Sequence, residues 1–290
     1  MPDYAAKGLF DLNGFVAVVT GGGTGIGLHI ARGLAENGAK VYITGRRLEV
    51  LQKAAGDNNV KGSIIPLCMD VTSKDSILEA KKVIEEKDGK LHILINNAGQ
   101  VGPTSNWFNS ASSPERQDAE SIGSALFQES EQAWSDIYAI NTHSIFFVST
   151  AFLGLLDKGS QETPGYTSTI VNVTSISGLM KLAQEHFAYN SSKAAASALT
   201  KLMATEFALK GVQVRVNAVA PGVYESEMTI DQISPEQVDK IGKGLSPVPA
   251  KRPGTGQEVA ATVLYLASQS GCYMNGQELV IDGGYLCVNP

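Results

Sequence analysis

A glycine-rich turn between a strand and a helix restricts this fold more than any other feature of the chain. Thr20-Gly21-Gly22-Gly23-Thr24-Gly25-Ile26-Gly27 follows the β-branched run Phe15–Thr20 and leads into Ile26–Asn37, where apolar residues recur at helical spacing. Lack of a Cβ at Gly21, Gly25 and Gly27 lets the backbone turn tightly and approach a diphosphate. The helix that follows offers free N–H groups and the positive end of its dipole. In a strand–turn–helix setting this pattern predicts a nucleotide at one edge of a parallel sheet.

The rest of the chain keeps the same alternation. Strands are expected at Val41–Thr44, Ser63–Met69, Leu91–Asn96, Thr169–Thr174, Gln213–Val219 and Glu278–Ile281. Helices are expected at Arg47–Ala55, Ser73–Lys87 (with Ser73 as N-cap), Ala188–Lys210 and Gln257–Ala267, with one long helix from near Glu131 to Leu156. Most strands are apolar on both faces, as in a sheet covered on each side by helices. The expected class is α/β, a doubly wound parallel sheet (Rossmann-like) with helices on both faces. No repeat or low-complexity linker divides residues 1–290, so one domain is expected.

Two stretches break the rhythm. Residues 100–129 form a long connection in which Ser112-Ser113-Pro114-Glu115 reads as a helix start, and Ala119, Ile122 and Leu126 share a helical face. Residues 223–253 carry prolines at 235, 247, 249 and 253 and read as a substrate lid.

Composition excludes other classes. Net charge is −6, which disfavours a phosphate backbone as partner. Cys68, Cys272 and Cys287 are far apart, and the four histidines show no ligand spacing, so neither a metal site nor a disulfide framework is expected. Reduced thiols and an N-terminus without an apolar signal core point to the cytoplasm. The longest apolar stretch, Ile145–Leu156, is interrupted by Ser149, Thr150 and Gly154 and is short for a bilayer, so no membrane partner is expected.

Tyr189 and Lys193 lie four apart in a helical segment, hence one turn apart on one face. A fixed ammonium near a phenol favours the phenolate and should lower the tyrosine pKa. Ser175, at a strand end, can hydrogen-bond a substrate oxygen. Asn141, in the long helix, can hold a water that links Lys193 to solvent. The end of the second strand bears on the cofactor. An acid about 20 residues past the glycines would bind a ribose 2′-OH; here the position is Gly45, followed by Arg46 and Arg47, with Glu49 as the nearest acid facing solvent. A guanidinium can pair with a 2′-phosphate, so NADP(H) is expected over NAD(H). Trp107, Phe108, His186 and Tyr224 are further pocket candidates, each equally well explained by packing.

Taken together, these motifs resemble the short-chain dehydrogenase/reductase family, of the compact single-domain type. The match comprises Thr20-Gly-x-x-x-Gly-x-Gly27, Asp70 after the third strand, Asn96-Asn97-Ala98-Gly99 after the fourth, Asn141, Ser175, Tyr189-x-x-x-Lys193, Pro221-Gly222 and Asp282-Gly283-Gly284, and spans about Asp11 to Tyr285. The resemblance implies Asn141, Ser175, Tyr189 and Lys193 as the catalytic set. It implies a cofactor surface of Gly21, Gly23, Thr24, Gly25, Ile26, Gly27, Arg46, Asp70, Val71, Asn97, Ala98, Gly99, Tyr189, Lys193, Pro221, Gly222, Val223 and Ser226. Asp70 is implied to meet the adenine amino group, and Ser226 to stand where the family often has threonine. The implied activity is reversible reduction of a small-molecule ketone to a secondary alcohol, by a homodimer or homotetramer. Two alternatives are a 3-oxoacyl-carrier-protein reductase-like enzyme and a non-catalytic cofactor-binding scaffold. The long 100–129 connection departs from the family pattern.

Overall fold

Seven short strands rich in β-branched residues pair in parallel: β1 (Val16–Thr20), β2 (Lys40–Gly45), β3 (Ser63–Cys68), β4 (Ile93–Asn96), β5 (Ser168–Val173), β6 (Val214–Pro221) and β7 (Glu278–Ile281). Their order across the sheet is β3-β2-β1-β4-β5-β6-β7. The order reverses between β1 and β4, which opens a crevice at their carboxyl ends, the usual ligand position in such sheets. The structure is a computed structural model and describes residues 4–56, 60–225 and 235–290.

The helices are α1 (Ala6–Leu9), α2 (Gly25–Glu36), α3 (Leu48–Gly56), α4 (Lys74–Asp88), α5 (Ala119–Phe127), α6 (Glu131–Tyr138), α7 (Ser144–Gln161), α8 (Phe187–Leu209), α9 (Pro235–Gly242), α10 (Gly256–Ala267) and α11 (Tyr285–Val288). Their boundaries follow local chemistry. Ser73 caps α4 by accepting the Ser76 N–H at 3.3 Å, and Gly89 ends it at φ 70°. Thr255 and Glu258 form a reciprocal capping box on α10.

Alternation along each strand divides the core into two layers. Ala17 and Val19 of β1 face Ile30 and Leu34 of α2, Leu51 of α3 and Val259 and Val263 of α10. Val16 and Val18 face Ile77 and Ile84 of α4, Val148 and Phe152 of α7 and Met203 of α8. Each buried aliphatic side chain contributes about 2 kcal/mol, so both layers are needed to hold the sheet edges that form the crevice.

The expected long helix is interrupted. Between α6 and α7 the chain makes a π turn at Ala139–His143. The wider turn puts two adjacent residues, Asn141 and Thr142, on the buried side, where Thr142 Oγ1 donates to the Ser192 carbonyl at 2.9 Å. Glu131–Gln161 as a whole is, among the described residues, long and apolar enough to cross a membrane by length and composition, longer than the apolar stretch expected from sequence. Here half of its most apolar window is buried, against the sheet and α8.

Residues 100–129 fold onto the start of α8. Phe108 meets Phe187 edge-on at 5.2 Å between centroids, and Glu129 accepts from Ser105 Oγ and from Trp134 Nε1. The helix in this stretch starts at Ala119, not near Pro114, because Asp118 Oδ1 accepts the Ser121 N–H at 2.8 Å. Pro114–Arg116 forms only a 3-10 turn.

Candidate active site

A cavity of about 880 Å³ follows the carboxyl edge of the sheet across the β1–β4 crevice. The turn after β1 forms its floor. Thr20 Oγ1 accepts the N–H groups of both Asn97 and Ala98, at 2.9 and 3.0 Å, and Asn97 Nδ2 donates to the Thr20 and Gly21 carbonyls at 2.9 and 3.1 Å. These bonds lock the ends of β1 and β4 together. Gly27 is required by this packing: a Cβ there would stand 2.4 Å from the Gly21 carbonyl oxygen and from Asn97 Nδ2. Every residue expected to face a cofactor lies on the cavity wall, except Ser226, which lies outside the described residues.

Gly45, Arg46, Arg47 and Asp70 border one end. Arg46 is exposed. Burial would raise the Asp70 carboxyl, but the Thr72 N–H and hydroxyl (2.9 and 2.7 Å) and the Arg46 charge outweigh it and hold the group below its usual range. Asp70 therefore presents an ionised acceptor at neutral pH.

Ser175, Tyr189 and Lys193 meet toward the other end. Gly178 makes this possible: a Cβ there would lie 2.6 Å from the Lys193 carbonyl carbon, so only glycine lets the loop after β5 seat on α8. Ser175 Oγ accepts the Ser177 N–H at 3.2 Å, which fixes its rotamer. Lys193 is buried, donates through Nζ to the Val173 carbonyl at 2.9 Å and stands 5.8 Å from the Tyr189 ring centroid. Burial pulls its pKa down to about 8.

The expected lowering of the Tyr189 pKa by Lys193 does not hold for the chain's own charges. Burial raises the phenol, and the nearby Ser175 hydroxyl opposes this only in part. The Lys193 ammonium is directed at a carbonyl on β5. The phenol is thus held protonated at neutral pH, ready to donate.

Asn141 stands behind the wall. Its Oδ1 accepts the Gln100 N–H at 2.9 Å; its Nδ2 donates to the Gln100 carbonyl at 3.0 Å and to Ser192 Oγ at 3.1 Å. Both amide hydrogens are committed to protein. The π turn brings the side chain here, where it pins the start of the 100–129 stretch to α8. Asn141→Ala should leave the Gln100 backbone groups unpaired and destabilise the protein by about 1–3 kcal/mol, read as a lower urea midpoint with unchanged slope.

Of the further candidates, His186 and Tyr224 line the cavity and Trp107 and Phe108 do not, because the latter two stack among themselves and on Phe187. Burial and the nearby Lys243 lower the His186 pKa, so its ring is neutral near pH 7. Sequence reasoning missed Gln184 and Lys243, which line the wall beside Tyr189. Their partners lie 58 residues away in the chain, and no local pattern announces such pairs.

The family model described as enoyl-(acyl carrier protein) reductase matches residues 21–286. The chain is 38% identical to the short-chain dehydrogenase/reductase PhomF of Diaporthe leptostromiformis, over 100% of this chain and 97% of that protein. It is 31% identical to the rhamnolipids biosynthesis 3-oxoacyl-[acyl-carrier-protein] reductase of Pseudomonas aeruginosa, over 95% of this chain and 98% of the other. The solved Pseudomonas aeruginosa RhlG/NADP active-site complex superposes with a TM-score of 0.80 at 28% identity, covering 96% of this chain and 98% of that one. With the glycine turn, the crevice and these likenesses in agreement, the chain belongs to the short-chain dehydrogenase/reductase family, oxidoreductases that use a nicotinamide cofactor on small-molecule substrates.

Proposed function

We propose that the protein is an NADP(H)-dependent oxidoreductase that interconverts a ketone and a secondary alcohol. One observation carries this reading: Ser175, Tyr189 and Lys193, with the Lys193 ammonium 5.8 Å from the Tyr189 ring centroid, line the same cavity that the glycine turn floors. The cavity fits a dinucleotide. Its floor at Gly27 has no room for a Cβ, Asp70 offers an ionised acceptor at one end, and Arg46 and Arg47 stand beside it. The turn residues would hold the diphosphate, Asp70 and Val71 the adenine, Arg46 the 2′-phosphate, and Lys193 the nicotinamide ribose. Asn97–Gly99 and Pro221–Val223 would flank the nicotinamide.

The bound cofactor supplies or accepts a hydride. Ser175 donates a hydrogen bond to the substrate oxygen and polarises the carbonyl. Tyr189 transfers its proton to that oxygen as the alcohol forms. Lys193 keeps a positive charge near the resulting phenolate, which lowers the cost of losing that proton. Asn141 acts by position, holding Gln100 and the helix that carries Tyr189. The reverse reaction requires the phenolate, so alcohol oxidation should gain at higher pH.

Cofactor choice is tested at Arg46. Arg46→Ala should weaken NADPH binding roughly tenfold or more, the worth of a charge-assisted contact to phosphate. NADH binding should change less than about twofold, because NADH lacks that phosphate. Titration calorimetry with both nucleotides decides; equal losses, or wild-type NADPH binding no tighter than NADH, would remove the NADP(H) assignment.

A second reading, reduction of a 3-oxoacyl group on a carrier protein, is favoured by the name of the Pseudomonas aeruginosa relative. An acidic carrier needs a basic docking face. The chain has net charge −6, and α7 offers only Lys158, so this reading ranks second. A carrier-bound 3-oxoacyl substrate with kcat/KM far above its small thioester would reverse the ranking.

A further inference from the structure

Three residues of the cavity's irregular segments have an unusual backbone conformation. Gln184 and Glu185 both sit at left-handed φ, 52° and 66°, and Lys243 at 44°. None is glycine, so each position is strained. Glycine would relieve the strain and delete the side chain, and in all three cases that side chain makes a long-range contact. Lys243 Nζ meets Glu185 Oε2 at 2.6 Å, and Glu185 is only 8% exposed. Gln184 Nε2 donates to the Gly242 carbonyl and to Tyr285 Oη, the latter at 3.2 Å. Tyr285 Oη in turn donates to the Gly242 carbonyl at 2.6 Å.

These contacts join three irregular segments that the sheet does not organise. The end of α9 is one. The loop before α8 is the second. The 100–129 stretch is the third, through the Ser105 N–H donating to the Glu185 carbonyl at 2.9 Å. The network also reaches the chemistry: Ser177 Oγ donates to Gln184 Oε1 at 3.1 Å, and the Ser177 N–H fixes Ser175 Oγ. Gln184, His186, Gly242 and Lys243 all line the cavity beside Tyr189.

The geometry points to Glu185 and Lys243 as positioning residues: their ion pair, with Gln184, clamps the end of α9 to the loop before Tyr189 and sets the width of the substrate end of the cavity. A buried carboxylate that loses its cation partner is left in poor solvation, so the clamp should open when one partner is removed. The reductase reading above supplies the assay but not the clamp itself.

Glu185→Gln and Lys243→Met each remove one charge; Lys243 is the less buried partner, so its variant serves if Glu185→Gln fails to fold. The expected result is a KM for the preferred ketone raised at least tenfold, kcat lowered less than threefold and NADPH affinity within twofold of wild type. Hydrogen–deuterium exchange of the 237–243 amides should speed at least tenfold in both variants. The reversal Glu185→Lys with Lys243→Glu should recover most of both effects, which mere loss of bulk would not. Unchanged exchange would overturn the clamp. Faster exchange with unchanged KM, or a parallel loss of NADPH affinity, would overturn its role at the substrate end. Should the wild-type protein oxidise NADPH with no ketone at all, the reductase reading fails, while exchange alone still decides the clamp.

Discussion

Tyr189→Phe should lower kcat/KM for ketone reduction by about 10³-fold, within the range that general acid catalysis contributes. Burial keeps this hydroxyl protonated, and it lines the cavity with Ser175 and Lys193. Removing one oxygen leaves the ring to fill its space, so the fold and NADPH affinity should survive. A variant that binds NADPH normally, melts like wild type and barely turns over would assign the proton to Tyr189. Near wild-type turnover would sink the assignment and move the proton to another group in the cavity.

Lys193→Met should cost about 10²-fold or more in kcat/KM and should also weaken nucleotide binding, because in the proposed mechanism one ammonium would serve both the phenol and the ribose. Its titration adds a sharper test. The limbs of kcat/KM report the free enzyme, and in the free enzyme burial brings Lys193 down to about 8. Ketone reduction should therefore fall as pH rises through about 8, and Lys193→Met should lack that limb. Stability should move the other way. In the unfolded chain the lysine holds its proton up to its ordinary value of 10.5, while the folded protein releases it from about 8. Between these values the unfolded state binds more protons, so raising pH stabilises the fold. Thermal melts of wild type minus Lys193→Met across that window should show the gain as activity disappears. A reduction profile flat through pH 8 would contradict both the titration and the role.

How much of this was legible in the chain depends on the range of the interaction. The strands and most of the expected helices fall within two residues of where periodicity and capping put them, because those signals act over a few residues. Ser73 and the glycine turn are local chemistry and read correctly as such. The break in the long helix was not legible. Nothing in the local sequence distinguishes Ala139–His143 from the helix around it; the π turn is favoured by the bonds of Asn141 and Thr142 to Ser192 on α8, fifty or so residues later. The same holds for Asn141 itself, whose partners depend on the fold rather than on its neighbours in sequence.

By itself the sequence determined the parallel sheet, a glycine turn at its edge and the placement of Ser175 at a strand end and of Tyr189 and Lys193 on one helix face, since spacing along a strand or helix dictates direction; the strand order that opens the crevice between β1 and β4 came from the tertiary structure. Only the tertiary structure decided the electrostatics and the shape of the substrate end. Burial reverses the expected shift of Tyr189 and brings Lys193 toward neutrality, and burial is a property of all the elements packed around a side chain. Glu185 and Lys243, 58 positions apart, become partners only after α9 has come to rest against the loop before α8.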